Sequence, residues 1–181
     1  MNLPNKLTIM RIILIPLFVI FLVLKIADEP VSTYLAAFIF ILAALTDSLD
    51  GYLARRWRQI TKLGIILDPL ADKLLITAAL ISLVELHQMA GWIAIVIIGR
   101  EFAVSGLRAV KAEEGIIIPA SIWGKLKTIT QVIAVLLVIL QKYYLAYTRI
   151  PLGDWAMYIA VVITLMSGAE YFYRYKALDE K

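Results

Sequence analysis

The chain has 181 residues, of which 62% are hydrophobic and 18% are charged, with a formal net charge of +4. Soluble domains carry about 45–50% apolar and about 25% charged residues, and a fold of this size has too little interior to bury the excess. The composition therefore predicts an integral membrane protein and excludes a disordered or collagen-like chain. Because the chain has no cysteine and a single histidine, His87, it also excludes a disulfide scaffold and a Cys-ligated zinc site. The modest charge requires no nucleic-acid partner, and we expect none.

Charge-free apolar runs recur along the chain, each shorter than the roughly 20 residues that cross a bilayer. We therefore expect residues beyond the flanking charges to complete each span. The predicted transmembrane helices lie near 7–25, 33–56, 64–85, 90–110, 119–142 and 152–174. Because no repeat or linker interrupts them, the sequence predicts a single all-α domain over residues 1–181 with six transmembrane helices. The first run follows basic residues, as in a signal peptide, but it lacks a small-x-small cleavage site, and we expect it to be retained.

Lysine and arginine concentrate on one side of the predicted spans. If the N-terminus is cytoplasmic, Lys25, Lys142 and Arg149 fall outside, and nearly all other basic residues fall inside. Cytoplasmic loops of membrane proteins carry such an excess. The pattern predicts a multi-pass protein of the cell (inner or plasma) membrane with both termini in the cytoplasm.

Charged residues mark the cytoplasmic end of every predicted span. They are Arg11, Asp47, Asp72, Lys73, Arg100, Lys127 and Glu170. Ionisable groups at membrane depth are unfavourable and normally face a cavity or a partner. Long basic side chains can instead snorkel to the interface, but short carboxylates cannot. The pattern therefore predicts a polar cavity that opens to the cytoplasmic side.

Four aspartates form two pairs, on the second and third predicted helices. Asp47 and Asp50 are i,i+3, and Asp68 and Asp72 are i,i+4, so each pair shares one helix face. A short basic loop makes the two helices antiparallel neighbours, and the pairs can therefore converge at one depth. Converging carboxylates repel one another unless cations neutralise them, and oxygen ligands without His or Cys favour Mg²⁺ or Mn²⁺. Four carboxylates suit two divalent ions, an arrangement used for displacement at phosphorus.

A salt-bridged polar core is the alternative assignment for these aspartates, with Arg55, Arg58 or Lys73 as partners. Ion pairing explains a single aspartate well, but it does not explain two pairs at helical spacing beside two glycines. Gly51 leaves room for a ligand beside the first pair, and Gly64 lets the chain begin its return close to it. The sequence favours a ligand-binding site.

The stretch Asp47–Asp72 reads D-x2-D-G-x2-A-R-x8-G-x3-D-x3-D. This pattern resembles the signature of the CDP-alcohol phosphatidyltransferases, membrane enzymes that make phospholipids from CDP-activated donors. Pro4–Arg11, Arg100–Arg108 and Gly124–Thr128 resemble segments of the bacterial phosphatidylglycerophosphate synthases. The similarity extends over nearly the whole chain.

The resemblance implies roles for individual residues. In the family, four aspartates hold two divalent metals and the last also acts as general base; these roles fall on Asp47, Asp50, Asp68 and Asp72. Contacts to CDP-diacylglycerol fall on Asn5, Thr8, Gly51, Arg55 and Thr61. Helix capping is the alternative for Asn5, Thr8 and Thr61, and anchoring to lipid is the alternative for Arg55. The resemblance also implies a homodimer.

The implied acceptor, sn-glycerol 3-phosphate, needs cations outside the metal site. The candidates at the inner ends of the fourth and fifth helices are Arg100, Arg108, Lys125 and Lys127. Their alternative role is anchoring to anionic lipid headgroups. Asp72 would take the proton of the acceptor hydroxyl, whose oxygen attacks the phosphorus that bears diacylglycerol. The products would be phosphatidylglycerophosphate and CMP.

Two kinds of alternative remain open. The same chemistry could serve inositol phosphate, serine or phosphatidylglycerol as acceptor, although the cationic candidates argue against serine, whose recognition would also need a carboxylate. From a different class, intramembrane aspartates occur in divalent-cation carriers. Carriers often contain inverted repeats and sites at the bilayer midplane. Because the sequence shows no repeat and crowds its aspartates on one side, it favours the enzyme.

Overall fold

A computed structural model of the chain describes residues 3–57, 62–115 and 121–179, and side chains within 7–46, 70–115 and 121–175. These residues are almost entirely α-helical, and no strand occurs among them. The chain divides into two compact units, Met1–Gln88 and Met89–Lys181. Each unit has its own helix packing.

Unit 1 contains the long helices α1 (Leu3–Val19), α2 (Val31–Trp57) and α3 (Lys62–Glu85), with a π-helical turn (Ile20–Leu24) that continues α1. Helix α1 packs against both α2 and α3. Phe18 of α1 meets Phe40 of α2 with ring centroids 5.4 Å apart, and both rings are fully buried. Ser32, at the start of α2, donates to the carbonyl of Phe21 at 2.6 Å, which satisfies an acceptor in the π-helical turn.

Unit 2 contains α4 (Gly91–Glu113), α5 (Ile122–Ile139), α6 (Gln141–Thr148) and α7 (Leu152–Asp179). Helices α4 and α5 both pack against α7, α5 more extensively. Ser121 caps α5, because its Oγ accepts from the Gly124 N–H at 3.0 Å. Gln131 donates to Thr164 at 2.9 Å within the α5–α7 interface, where both side chains are buried. Helix α7 is therefore the common packing partner of the unit.

The long helices agree with the prediction of an all-α protein. Three of them, over Leu7–Leu24, Ile122–Ile139 and Leu152–Tyr175, are long and apolar enough to cross a membrane, among the residues that the structure describes. The prediction of six spans, and of a cavity on the cytoplasmic side, stays a prediction. The short helix α6 was not predicted, because the fifth helix was expected to continue to residue 142.

Gly153, in the first turn of α7, lies in close contact with α5. A Cβ at this position would lie 3.0 Å from both Cα and N of Val138, which are backbone atoms that cannot easily move. We expect Gly153→Ala to destabilise unit 2 by about 1–3 kcal/mol. Thermal unfolding in detergent should show a lower Tm, since 1 kcal/mol shifts Tm by about 2–4 °C in a chain of this length.

The matched control for this substitution is Gly106→Ala on α4. Nothing lies within 4 Å of a Cβ added at Gly106. Alanine favours the helix over glycine, so this variant should keep or slightly raise the Tm. An equal Tm for Gly153→Ala and the wild-type protein would mean that the contact between α5 and α7 relaxes freely.

Candidate active site

The two aspartate pairs lie on either side of the connection between α2 and α3. The four residues are Asp47, Asp50, Asp68 and Asp72. Helix α2 ends at Trp57 and α3 begins at Lys62, so residues 58–61 alone join helices that pack against each other. With a rise of 1.5 Å per residue, the inner members of the pairs lie about 9–11 Å from these helix ends, and the outer members about 15 Å. The pairs therefore lie at matching heights along neighbouring helices.

The donor set fits hard divalent cations. It offers carboxylates at i,i+3 and i,i+4 on adjacent helices, without cysteine, and His87 follows the opposite end of α3. The side chains of Asp47, Asp50 and Asp68 lie outside the described side chains, whereas Asp72 is described and is partly exposed. Among the described side chains, no group of three or more metal-ligating residues comes together. The fit of the site to a metal rests on donor chemistry and helix register.

The predicted nucleotide contacts all fall within or next to unit 1. The backbones of Asn5, Gly51 and Arg55 lie on α1 and α2, but their side chains are outside the described set, and Thr61 lies outside the described residues. Thr8 of α1 is fully buried. Its burial allows a structural role as well as a ligand contact.

Arg11, which marks the membrane boundary in the sequence and ends the segment Pro4–Arg11, is also fully buried. It follows Thr8 by three residues on α1, and the two side chains therefore share a helix face. A buried guanidinium within the unit that carries the aspartates places positive charge inside the unit rather than at a lipid headgroup. The three-residue spacing between Thr8 and Arg11 was the feature of the sequence that could have indicated that both side chains lie on one buried helix face.

In unit 2, the side chain of Arg100 packs in the interface between α4 and α7. Its Nη2 donates to Ser167 Oγ at 2.6 Å, and its Cζ lies 5.7 Å from the centre of the Tyr171 ring. Gly168 makes room for the side chain, since a Cβ there would lie 3.1 Å from Arg100 Cγ. Residue spacing did not indicate the three α7 residues that hold this side chain.

The four predicted acceptor cations separate into two groups. Arg100 and Lys127 are largely buried, and both contact Glu101. Arg108 and Lys125 are exposed. Arg108 lies about two turns beyond Arg100 on α4. The structure therefore brings Arg100 and Lys127 together through one carboxylate and leaves Arg108 and Lys125 at the surface of unit 2.

Comparison with known proteins gives one consistent result. Residues 1–166 match the family model of the CDP-alcohol phosphatidyltransferases. The chain is 46% identical to the Bacillus subtilis CDP-diacylglycerol–glycerol-3-phosphate 3-phosphatidyltransferase, with 94% of this chain and 93% of that protein covered. Proteins of the same name from Haemophilus influenzae and Escherichia coli K12 are 46% and 39% identical, over 94% of this chain and 91% and 92% of theirs.

The matched region includes both aspartate pairs and the buried Arg100. It covers far more than half of the chain, and the similarity to the relatives extends through both units. The resemblance seen in the sequence motif is therefore confirmed over the length of the protein. The chain belongs to the CDP-alcohol phosphatidyltransferase family.

Proposed function

We propose that the protein transfers the phosphatidyl group of CDP-diacylglycerol to sn-glycerol 3-phosphate, giving phosphatidylglycerophosphate and CMP. The two aspartate pairs at matching heights on α2 and α3 are the observation that carries the proposal. The names of the relatives support both the donor and the acceptor. The donor is already activated, and the reaction therefore needs no ATP.

In this proposal the aspartates divide two tasks. Asp47, Asp50, Asp68 and Asp72 hold two divalent ions, Mg²⁺ or Mn²⁺, which would supply positive charge to the donor diphosphate and to the departing CMP. Asp72 also accepts the proton of the acceptor hydroxyl, so that the oxygen can attack the phosphorus bearing diacylglycerol. Asp72 is partly exposed, as a residue that meets a substrate must be.

Donor recognition falls on unit 1. Arg55 offers a planar fork of N–H donors to the diphosphate, and Gly51 leaves space for the cytidine beside the helix backbone. Asn5, Thr8 and Thr61 supply further polar contacts. Arg55 precedes the end of α2 at Trp57, and its charge belongs to the same helix as the first aspartate pair.

Acceptor recognition falls on unit 2, through Arg100, Arg108, Lys125 and Lys127. Arg108 and Lys125 are exposed and can meet a dianionic phosphate without leaving a buried partner. Arg100 and Lys127 supply charge closer to the interior of the unit. This excess of cations suits a phosphorylated acceptor better than serine.

The membrane arrangement completes the proposal. Six helices would cross the bilayer as one domain, with both termini and the polar cavity on the cytoplasmic side, where water-soluble glycerol 3-phosphate is available. The bias of lysine and arginine supports this orientation. We also propose a homodimer, which the family resemblance implies.

Arg108→Ala tests the acceptor site. Loss of a charge-assisted contact to phosphate removes about 1.5–3 kcal/mol, so the KM for glycerol 3-phosphate should rise roughly 10–150-fold. The KM for CDP-diacylglycerol should change little. Arg174→Ala, which removes an exposed arginine of α7 that pairs with Glu170 at 2.7 Å, is the control. An equal effect on both substrates would assign Arg108 to anchoring at the lipid surface.

The identity of the acceptor is tested with the purified protein in detergent micelles. Transfer from labelled CDP-diacylglycerol is measured with glycerol 3-phosphate, inositol phosphate, serine or phosphatidylglycerol as the added acceptor. Of these four acceptors, we expect only glycerol 3-phosphate to give a lipid product. Faster transfer to another acceptor would contradict the assignment of glycerol 3-phosphate but support phosphatidyl transfer. Ion flux through vesicles that contain the protein, without any transfer, would favour a divalent-cation carrier.

A further inference from the structure

Glu101 has no role in the proposed function, but its carboxylate contacts two of the proposed acceptor cations. Glu101 Oε1 accepts from Arg100 Nη1 at 3.3 Å and also from Lys127 Nζ. Arg100 and Glu101 belong to α4 and Lys127 belongs to α5, so one oxygen atom holds cations from two helices. The three side chains are only 7%, 14% and 12% exposed.

This cluster carries an excess of positive charge in a largely dehydrated place. Two cations share one carboxylate, and the other contacts of Arg100 among the described residues are with Ser167, Gly168 and Tyr171, which are neutral. A buried charge without compensation is unfavourable. The cluster is therefore suited to accept one further anionic group.

The two cations also keep hydrogen-bond donors for such an anion. Arg100 Nε is buried and has no hydrogen-bond partner within the part of the chain that the structure describes, although the rest of the guanidinium is held by Glu101 and Ser167. Lys127 has three N–H donors and uses one of them on Glu101. A buried donor without a partner is rare in folded proteins and indicates a ligand or an ordered water.

We propose that Glu101 is a positioning residue that holds Arg100 and Lys127 in the geometry needed to bind the phosphate of the acceptor. This inference rests on the proposed function. The carboxylate does not touch the acceptor. It reduces the repulsion between the two cations and fixes the lysine, whose flexible side chain would otherwise lose conformational entropy on binding. A purely structural ion pair that ties α4 to α5 is the competing explanation.

Glu101→Gln separates these explanations, because it keeps the length of the side chain and one carbonyl oxygen but removes the charge. We expect the KM for glycerol 3-phosphate to rise about 10-fold or more, as for loss of one charge-assisted contact, while the KM for CDP-diacylglycerol stays within about twofold. Glu114→Gln is the matched control. It removes another carboxylate of the α4 segment that pairs with a buried lysine, Lys111, at 2.6 Å, and it should leave both KM values unchanged.

A double-mutant cycle with Lys127→Met tests whether Glu101 acts through the lysine. If Glu101 acts through Lys127, the two substitutions share part of their effect. The double variant should therefore raise the KM for glycerol 3-phosphate by less than the product of the two single increases. A full product of the two effects would overturn the proposal. So would a Glu101→Gln variant with equal changes in both KM values, a lower KM for glycerol 3-phosphate, or only a lower Tm.

Two further measurements keep the outcome decisive. If Glu101→Gln does not fold, Glu101→Asp is used instead, because it keeps the charge but withdraws the carboxylate by one methylene. An unchanged KM for glycerol 3-phosphate in Glu101→Asp would overturn the proposal. The wild-type protein is assayed first. Absence of transfer to glycerol 3-phosphate in the wild type would contradict the proposed function, whereas normal transfer with an unaffected variant would contradict the role of Glu101 alone.

Discussion

Asp72→Asn is expected to lower the rate of phosphatidyl transfer by about 10²–10⁴-fold, the usual effect of removing a general base. The substitution keeps the size of the side chain and one ligating oxygen, but the amide cannot accept the proton of the acceptor hydroxyl. The loss should therefore persist at saturating Mn²⁺ and at higher pH. A radiolabelled transfer assay is sensitive enough to resolve a residual rate in this range.

Asp47→Asn is the matched comparison, because it removes one charge from the same metal site and leaves the proposed base intact. Its defect should lie mainly in metal affinity, so that activity returns as the metal concentration is raised. Bound metal is measured in both variants before the rates are compared, since Asp72 is also a proposed ligand. Equal rescue of the two variants by metal would make Asp72 a ligand only.

Removal of divalent ions is expected to abolish transfer, and addition of Mg²⁺ or Mn²⁺ to restore it. Four carboxylates at matching heights on two packed helices repel one another without cations, and the chain offers no cysteine and one histidine as other ligands. The measurement is the transfer rate after treatment with EDTA and after titration with each metal. Full turnover in a preparation shown by elemental analysis to be free of metal would contradict the assignment of the aspartates.

The sequence predicted the long helices well because apolar run length and flanking charges determine them locally. It did not predict the break between α5 and α6 at Leu140, where the polar contacts are non-local. Gln141 donates to Asp154 at 3.2 Å, and the Tyr144 hydroxyl accepts from the Gly153 N–H at 2.7 Å. These partners lie on α7, and the periodicity of one helix does not indicate contacts with the next helix.

The candidate site shows the same limit. Spacing within α2 and α3 predicts that each aspartate pair shares one helix face, because its two members lie about one helical turn apart, and the site that the pairs would form stays a prediction. Spacing could not show that Arg100 is buried while Arg108 is exposed, although both lie on α4. Arg100 donates a hydrogen bond to Ser167, which lies 67 residues later in the chain. Packing between α4 and α7 decides which cations are buried.

Release of CMP on mixing the purified protein with CDP-diacylglycerol, measured with and without glycerol 3-phosphate, tests the central claim most directly. Direct attack by the acceptor hydroxyl predicts CMP and phosphatidylglycerophosphate in equal amounts when acceptor and Mg²⁺ or Mn²⁺ are present, and no CMP when the acceptor is omitted. Equal release of CMP without the acceptor, or no lipid product with it, would contradict the account.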